Sequence, residues 1–357
     1  MTKTDADVIA ETIAQIVDGV RSDRAAPELD GGFDAELWLV LASSGMTAVG
    51  VDDALGGSGG LAQDAVAVVR ALARAAAHAP VAEHAMAASW LLESVRREMP
   101  SQERPLAIVT GPDLRFDPTT RLLSGSADSV PWADAASGLV VVARAEHGSW
   151  VCLIEAAAAE IVPGTNLAGE SRCAVVLDVA VEAGDAAPLD AGQPEEVQAR
   201  LALIRATQIA AVVDETLRRT LRYCDERAQF GRTLNNFQST RDALAELAGE
   251  AAVVSALADR ALGDLTTDRE RFPVTVAAAK IRASLAARRT ARLAHQLHGA
   301  IGFTREHPLR LLTTRLWAWS NEAGNEREWS QWLGRHLVSQ ERLWTTLVGG
   351  RVFAPDR

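Results

Sequence analysis

The sequence predicts an α+β fold in which an N-terminal helical domain, a small antiparallel β-domain and a C-terminal four-helix bundle follow one another. Three patterns support this order. Apolar residues repeat at three- and four-residue intervals up to about residue 100, short β-branched runs follow, and long helical repeats fill the rest of the 357 residues. We therefore expect domains at residues 1–102, 103–192 and 193–357.

The first domain is predicted to be helical throughout. One helix has an apolar face made of Ile9, Ile13, Ile16 and Val20. Thr4 is placed to cap the N-terminus of this helix, and a second helix is predicted to end at Gly45 in the left-handed conformation. Two Ala-rich segments, at about 64–77 and 80–97, complete the predicted helices.

Short apolar runs bounded by Gly, Pro, Asp and Ser characterise the second domain. Three of them are predicted strands, Leu139–Ala143, Trp150–Ile154 and Ala174–Val181. The segment Glu146–Ser149 predicts a hairpin connection between the first two. Because no long helical repeat separates the runs, we expect an antiparallel sheet and not a βαβ unit.

Long apolar stripes with helical spacing define the third domain. One stripe consists of Leu244, Leu247, Ala251, Val254 and Ala258. Pro273 lies where another helix is predicted to begin, because proline is favoured in the first helical turn. Long helices joined by short connections predict an antiparallel bundle.

Composition and charge exclude several function classes. The net charge of −11 and the lack of a basic run argue against nucleic-acid binding. No apolar stretch reaches the roughly 18 residues of a membrane span, and the N-terminus lacks the pattern of a secretory signal. We therefore expect a cytoplasmic protein. His295 and His298 have no carboxylate at matching spacing, so no metal site is predicted.

One segment that suits a phosphate-containing ligand is RAQFGR at residues 227–232, followed by Phe237 and Gln238. It joins two predicted helices. An exposed arginine at such a junction can form paired hydrogen bonds with a phosphate, and the Phe and Gln side chains can contact a ring system. The same residues can equally cap two helix ends, so the segment alone leaves both interpretations open.

A second segment, QLHGAIGFTREHP at residues 296–308, lies at the predicted end of a helix. Gly299 and Gly302 would allow a ligand to approach the backbone closely. Either glycine can instead end the helix in the left-handed conformation. This segment therefore also has a purely structural interpretation.

Together, the two segments resemble the acyl-CoA dehydrogenase family. RAQFGR…FQ is similar to that family's R-x-x-F-G…Q segment, and QLHGAIGFTREHPL is similar to its Q-x-x-G-G-x-G-F/Y-x-x-E-x-P segment, in the same order. Likeness at residues 45–60 and 123–144 extends the resemblance over nearly the whole chain. It implies a helix–sheet–helix fold, tetramers built through the C-terminal bundle, an FAD cofactor, an acyl-CoA substrate and an electron-transfer flavoprotein as electron acceptor.

The resemblance also implies the family's chemistry, α,β-desaturation. In that reaction a carboxylate removes the α proton while the β hydrogen leaves as a hydride to the flavin. Contacts to the pyrophosphate and adenine end of a neighbouring subunit's FAD are implied for residues Arg227, Gln229, Phe230, Gln238, Gln296, Gly299 and Ala300.

The catalytic base is not at the family's usual position. Aligned from Gly302, the family's glutamate falls on Ala323, and Glu322 lies one residue earlier. A one-residue shift turns a side chain by about 100° on a helix. Glu322 is nevertheless the candidate base of this chain. The family's alternative position, on the first bundle helix, corresponds to Leu201, with no acid within several residues after it.

The stretch Trp-Ile-Thr, which lies along the flavin ring in the family, is replaced by Ser129-Val130-Pro131, and Pro131 has no backbone N–H. We therefore hypothesise that this chain is the non-catalytic subunit of a heterotetrameric oxidoreductase and is inactive alone. It would bind the nucleotide end of FAD, while a catalytic acyl-CoA dehydrogenase subunit supplies the ring pocket and the base.

The likeness to short actinobacterial relatives implies a steroid side-chain CoA thioester as the substrate of this heteromer. Two alternatives stay open. One is a self-sufficient homotetramer with Glu322 as the base, and the other is a catalytically dead scaffold that binds acyl-CoA or a partner.

Overall fold

The computed structural model describes residues 4–22, 32–304 and 306–338, which form two compact units divided between Ile204 and Arg205. Residues 1–3 and 23–31 of the predicted first domain lie outside the described residues. So do Arg305 of the second motif and residues 339–357 of the predicted third domain. The boundaries at residues 102 and 192 stay a prediction.

The first unit begins with helices that bury one apolar face each. They are α1 (Asp5–Ser22), α2 (Ala35–Ser43), α3 (Ala62–Arg74), α4 (Val81–Glu83) and α5 (Trp90–Ser94), with a π-helix, His84–Ser89, joining the last two. Thr4 caps α1 as predicted: Asp7 N donates to Thr4 Oγ1 at 3.3 Å, and Thr4 N donates to the Asp7 carboxylate at 3.0 Å. Ile13 of α1 packs with Trp38 of α2 in the helical core.

A seven-stranded sheet follows in the same unit. Its strands are β1 (Leu106–Asp117), β2 (Leu122–Pro131), β3 (Gly138–Arg144), β4 (Ser149–Glu155), β5 (Glu160–Val162), β6 (Arg172–Ala180) and β7 (Ala186–Leu189), in the order β5-β6-β2-β1-β3-β4-β7. The predicted strands correspond to β3, β4 and β6. Alternate side chains such as Val109, Leu123 and Val175 face one buried core, as the period of a strand requires.

One strand pair departs from the expected antiparallel arrangement, because β1 and β3 run parallel. The path of the chain explains this. β2 returns antiparallel to β1 and ends near its start, and β3 then begins with Gly138 beside Leu106 on the other edge of β1. The other pairs in the sheet are antiparallel. The expectation of a purely antiparallel sheet was therefore wrong for this pair.

Long helices form the second unit. They are α6 (Gln193–Glu226), which starts in the first unit, α7 (Gln238–Thr267), α8 (Phe272–His298), α9 (Leu309–Asn321) and α10 (Glu326–Val338), with a short hairpin of β8 (Ala228–Gln229) and β9 (Arg232–Thr233) between α6 and α7. Leu247 of α7 and Leu293 of α8 share a buried cluster with Cys224 of α6. Pro273 lies in the first turn of α8, as predicted.

The succession of helices, sheet and helical bundle confirms the predicted α+β class. In the part of the chain that the structure describes, no helix is both long and apolar enough to cross a lipid bilayer.

Candidate functional site

A groove of about 320 Å³ lies in the second unit, between the end of α6, the β8–β9 hairpin, the start of α7 and the end of α8. Four of the residues singled out in the sequence line it, Arg227, Gln229, Gln296 and Gly299. The structure therefore brings together two motifs that are more than sixty residues apart in the chain. We refer to this cavity as the bundle groove.

Arg227 is positioned by its backbone. Its N–H donates to Tyr223 O at 2.9 Å, in continuation of α6, and its carbonyl accepts from Leu234 N at 2.9 Å. The side chain is exposed, and its guanidinium has no ion-pair partner among the described residues. Its five N–H donors are therefore available to an anion in the bundle groove.

The β8–β9 hairpin turns at Phe230 and Gly231, whose φ angles are 53° and 78°. Two consecutive positive φ angles are typical of a type I′ turn, a conformation that disfavours a bulky residue such as phenylalanine. The Phe230 side chain is 91% exposed. The Phe230 ring packs edge to face against Phe237 at a centroid distance of 6.3 Å.

Three of the singled-out residues do not line the bundle groove. Phe230 lies at the hairpin tip, Ala300 is exposed in the turn after α8, and the Gln238 amide donates to Asp242 Oδ1 at 2.8 Å on the surface of α7. Their predicted contacts with FAD stay predictions.

Gly299 ends α8 with φ 67° and ψ −149°. This region of backbone space is essentially restricted to glycine, so no other residue fits here without strain. Gly302 has a different role. A Cβ at Gly302 would lie 2.9 Å from His298 Cβ, so this glycine is required for close packing and not for a positive φ.

Sequence reasoning missed Tyr223 and His298, which form one wall of the bundle groove. Their rings stack at a centroid distance of 4.4 Å, and the Tyr223 hydroxyl donates to His298 O at 3.2 Å. Burial lowers the pKa of His298, so its imidazole is neutral at pH 7. The only available signal was that Tyr223, the one tyrosine of the chain, lies one helical turn before Arg227.

The bundle groove suits the phosphate-bearing end of a nucleotide. Ser239 and Thr240 place the first turn of α7 on its wall, and a helix N-terminus attracts anions through its dipole and free N–H groups. Phe237, at the N-cap, has no side-chain acceptor for these N–H groups. The N–H groups at the start of α7 and the Arg227 guanidinium together favour the binding of a phosphate. The side-chain amides of Gln229 and Gln296 can hydrogen-bond a base or a sugar. These residues fit the nucleotide half of FAD.

The turn between α9 and α10, Glu322–Asn325, occupies the expected position of the base. Arg205 Nε donates to Glu322 Oε2 at 2.8 Å, and the Arg205 side chain is only 4% exposed. Ala323 has a positive φ of 53°, and the Trp329 indole N–H donates to its carbonyl at 2.8 Å. The Glu322 side chain is thus bound by Arg205, and the Ala323 carbonyl is bound by Trp329. We refer to Glu322–Asn325 as the α9–α10 turn.

In the first unit, the stretch Ser129–Pro131 offers little to a flavin ring. Val130 is buried, and Ser129 adopts a positive φ of 57° where the register of β2 against β6 shifts. Pro131 has no N–H, and the N–H of Trp132 donates to Ser171 O at 3.3 Å. The stretch therefore offers a flavin ring no backbone donor at Pro131 or at the residue after it.

Comparison with known proteins agrees with this geometry. The family model described as acyl-CoA dehydrogenase, C-terminal domain, matches residues 190–325. The acyl-CoA dehydrogenase FadE34 of Mycobacterium tuberculosis is 29% identical over 322 residues, which cover 87% of this chain and 44% of FadE34. The chain thus spans less than half the length of this relative.

Solved structures share the fold over almost the whole chain. The ChsE4–ChsE5 complex of Mycobacterium tuberculosis aligns with a TM-score of 0.86 at 22% identity, covering 95% of this chain and 99% of the matched chain. The steroid acyl-CoA dehydrogenase Tcur3481–Tcur3483 aligns with a TM-score of 0.80 at 20% identity, covering 94% and 99%. Motifs, family model and relatives agree: residues 190–325 are a C-terminal domain of the acyl-CoA dehydrogenase family, whose cofactor is FAD, and most of the chain is similar to members of that family.

Proposed function

We propose that this chain is the non-catalytic subunit of a heteromeric acyl-CoA dehydrogenase and that it holds the nucleotide end of a flavin whose ring and base belong to a catalytic subunit. When bound, FAD accepts the hydride that leaves the β carbon of the acyl-CoA. The residues of this chain bind and orient the nucleotide end of FAD. The α proton of the acyl-CoA is removed by a base of the catalytic subunit.

The observation that carries this proposal is the pairing of Glu322 with Arg205 at 2.8 Å. A catalytic base must present a carboxylate oxygen to the substrate proton within hydrogen-bond reach. Here that carboxylate is paired with a buried guanidinium. Leaving this pair would remove a charged acceptor from the buried Arg205, which also donates to Gln208 Oε1 at 2.6 Å. The position of the family base itself is Ala323, which has no proton acceptor in its side chain.

The bundle groove supports the second half of the proposal. Arg227, Gln229 and Gln296 leave their polar groups exposed around one cavity. Exposed, unpaired groups of this kind are typical of a surface that is completed by another molecule. We infer that this molecule is the flavin of the catalytic subunit.

The assembly and the substrate class follow the similar structures. ChsE4–ChsE5 is a complex of two different chains, and Tcur3481–Tcur3483 is described as a steroid acyl-CoA dehydrogenase. We propose that this chain also assembles with a different chain, as a heterotetramer that acts on a steroid side-chain CoA thioester. Reoxidation by an electron-transfer flavoprotein stays a prediction.

The test is to express the chain alone and together with a catalytic acyl-CoA dehydrogenase subunit. We expect a colourless, inactive protein alone and a yellow, active complex on co-expression, with flavin stoichiometry below one per chain. A yellow, active protein from this chain alone would contradict the proposal and favour the homotetramer with Glu322 as base. Lack of flavin in every combination would favour the scaffold.

The substrate class is tested separately on the active complex. We expect turnover of a steroid side-chain CoA thioester and little turnover of butyryl-CoA or octanoyl-CoA. The reverse preference would leave the subunit role intact but remove the steroid assignment.

Replacing Glu322 by glutamine is expected to leave the activity of the complex within about twofold of wild type, whereas loss of a general base lowers kcat by about a hundredfold or more. The same change should lower the free energy of unfolding by about 1–3 kcal/mol, because Arg205 loses its charged acceptor. Steady-state kinetics and urea unfolding measure the two effects.

Glu326→Gln is the matched control for this substitution. Glu326 is an acid at the start of α10, and its partner Arg288 has a 47% exposed side chain. Removing that exposed pair should change stability by less than about 1 kcal/mol. A hundredfold loss of kcat confined to Glu322→Gln would identify Glu322 as the base.

A further inference from the structure

Lys280 of α8 is completely buried, with 0% of its surface exposed. Its Nζ donates to Ser284 Oγ at 3.1 Å, to Trp319 O at 3.3 Å and to Ser320 O at 3.0 Å. An ammonium group has three N–H donors, so these three oxygens account for all of them. Two of the acceptors belong to the last turn of α9. Trp319 O also accepts from Glu322 N at 3.3 Å, and Ser320 O also accepts from Ser284 Oγ at 2.9 Å.

The charged groups around Lys280 come from several elements. Arg205 of α6 and Arg288 of α8 oppose its charge, while Glu322 and Glu328, at the end of α9 and on α10, favour it. From α7, Glu250 pairs with Arg282 and Arg289 of α8. Burial, followed by the Arg205 guanidinium, lowers the pKa of Lys280 to about 7. Lys280 and Arg205 are therefore two buried basic groups that share Glu322 as a nearby anion.

We propose that Lys280 is a positioning residue for the α9–α10 turn: by binding the carbonyls of Trp319 and Ser320 it fixes the end of α9 and keeps Glu322 on Arg205. Ser320 and Glu322 are two residues apart, so fixing the Ser320 carbonyl restricts where the Glu322 backbone can lie. This inference rests on the proposed function, because it explains how the turn at the base position is held away from catalysis.

A lysine that only fills space would be replaced by methionine without consequence, since the two side chains are unbranched and similar in length. A lysine that positions the turn cannot be replaced in this way, because methionine removes the donor that joins α8 to the carbonyls of Trp319 and Ser320. Trp319 O then keeps only the N–H of Glu322, and Ser320 O keeps only the hydroxyl of Ser284. The two roles therefore predict different behaviour of the α9–α10 turn.

The experiment measures amide hydrogen exchange of residues 320–325 in the full-length chain. In Lys280→Met, these amides are expected to exchange about tenfold faster or more than in wild type, because the carbonyls of Trp319 and Ser320 lose their hydrogen bonds to α8 through Nζ. Arg282→Met is the control: it removes a cation of the same helix that faces α7 and should leave the turn unchanged. Equal exchange in Lys280→Met and wild type would overturn the proposal.

The pH profile gives a readout that a space-filling side chain would not produce. An open turn hydrates the amine and restores its ordinary pKa near 10.5, whereas in the closed turn the pKa is about 7. The open state thus binds the proton more tightly, so raising the pH above 7 favours the closed turn. After correction for intrinsic rates, exchange should slow between pH 7 and 9 in wild type and stay flat in Lys280→Met. A flat wild-type profile would contradict the proposal.

The coupling to Glu322 is tested with a double-mutant cycle of Lys280→Met and Glu322→Gln. If both act through the α9–α10 turn, the second substitution should accelerate exchange much less in the presence of the first. Additive effects would show that Lys280 does not act through Glu322.

A second measurement covers the case in which Lys280→Met does not fold. Lys3 and Lys280 are the only lysines of the chain, so ¹³C-lysine labelling of wild type gives two signals. We expect one of them to titrate near pH 7 together with the amides of the turn, and titration without any change in the turn would overturn the proposal. Neither readout uses flavin or turnover, so a failure here is distinct from a failure of the subunit assignment.

Discussion

Replacing Arg227 by alanine is expected to weaken FAD binding to the active complex about a hundredfold, because paired, charge-assisted hydrogen bonds to a phosphate are lost. The guanidinium is exposed, lines the bundle groove and has no ion-pair partner within the described ranges. Its removal therefore breaks no structural interaction that the structure shows. The variant should fold normally and unfold at the same urea concentration as wild type.

Flavin content after gel filtration and reconstitution of the apo-complex with FAD measure this effect. The matched control is Arg222→Ala, which removes another exposed arginine, one and a half turns earlier on α6, that does not line the bundle groove. The control should retain its flavin. If Arg227→Ala also retains full flavin content, the bundle groove does not hold the pyrophosphate and the proposed contact is lost.

Helices α1 and α7 could be predicted from the sequence because each has an apolar stripe at helical spacing that is buried. The stripe that includes Ile13 and Val20 indicated α1, and the stripe through Leu247 and Val254 indicated α7. The strands β3, β4 and β6 were found for the same reason, since each is an apolar run bounded by turn residues. FAD, implied by the family resemblance, is confirmed as the cofactor of the family.

Strands β1 and β2 escaped prediction because their sequences break the pattern. β1 contains Gly111-Pro112, and its register against β3 shifts between Thr110 and Arg115. Irregular strands of this kind depend on their neighbours in the sheet and have no regular alternation to detect. The parallel pairing of β1 with β3 depends on the chain path and has no local signal at all.

The candidate site likewise contains residues that the sequence identifies and contacts that only the structure shows. Arg227 and Gln296 were accessible through their motifs, although only the structure shows that both line one groove. The role of Lys280 was not accessible, because a lysine in an Ala-rich stripe gives no indication that three oxygens from α8 and α9 surround it. The Arg205–Glu322 pair likewise joins residues more than a hundred positions apart. The pairing explains why a glutamate near the base position need not be a base.

Replacing Gly125 by alanine is expected to cause the largest loss of stability, about 3–5 kcal/mol, from the sum of a backbone clash and an unfavourable φ. Gly125 lies in β2 with φ 118°, and a Cβ there would lie 2.2 Å from Asp113 O and 2.9 Å from Asp113 C. Both atoms belong to the backbone of the neighbouring strand β1, so no side-chain rotation can relieve the contact.

Gly148→Ala separates the two contributions. Gly148 also has a positive φ, 77°, but a Cβ there meets no atom within 4 Å. Replacing Gly148 by alanine should therefore lower the free energy of unfolding by only about 1 kcal/mol, which is the cost of placing alanine at a positive φ. Urea unfolding followed by tryptophan fluorescence measures both variants. Equal losses in the two would mean that β1 moves away from β2 at little cost, and the irregular part of β1, between Thr110 and Arg115, is where such movement would occur. A much larger loss in Gly125→Ala would show that this irregularity is held rigidly, because the close approach of β2 to β1 at Asp113 requires glycine there.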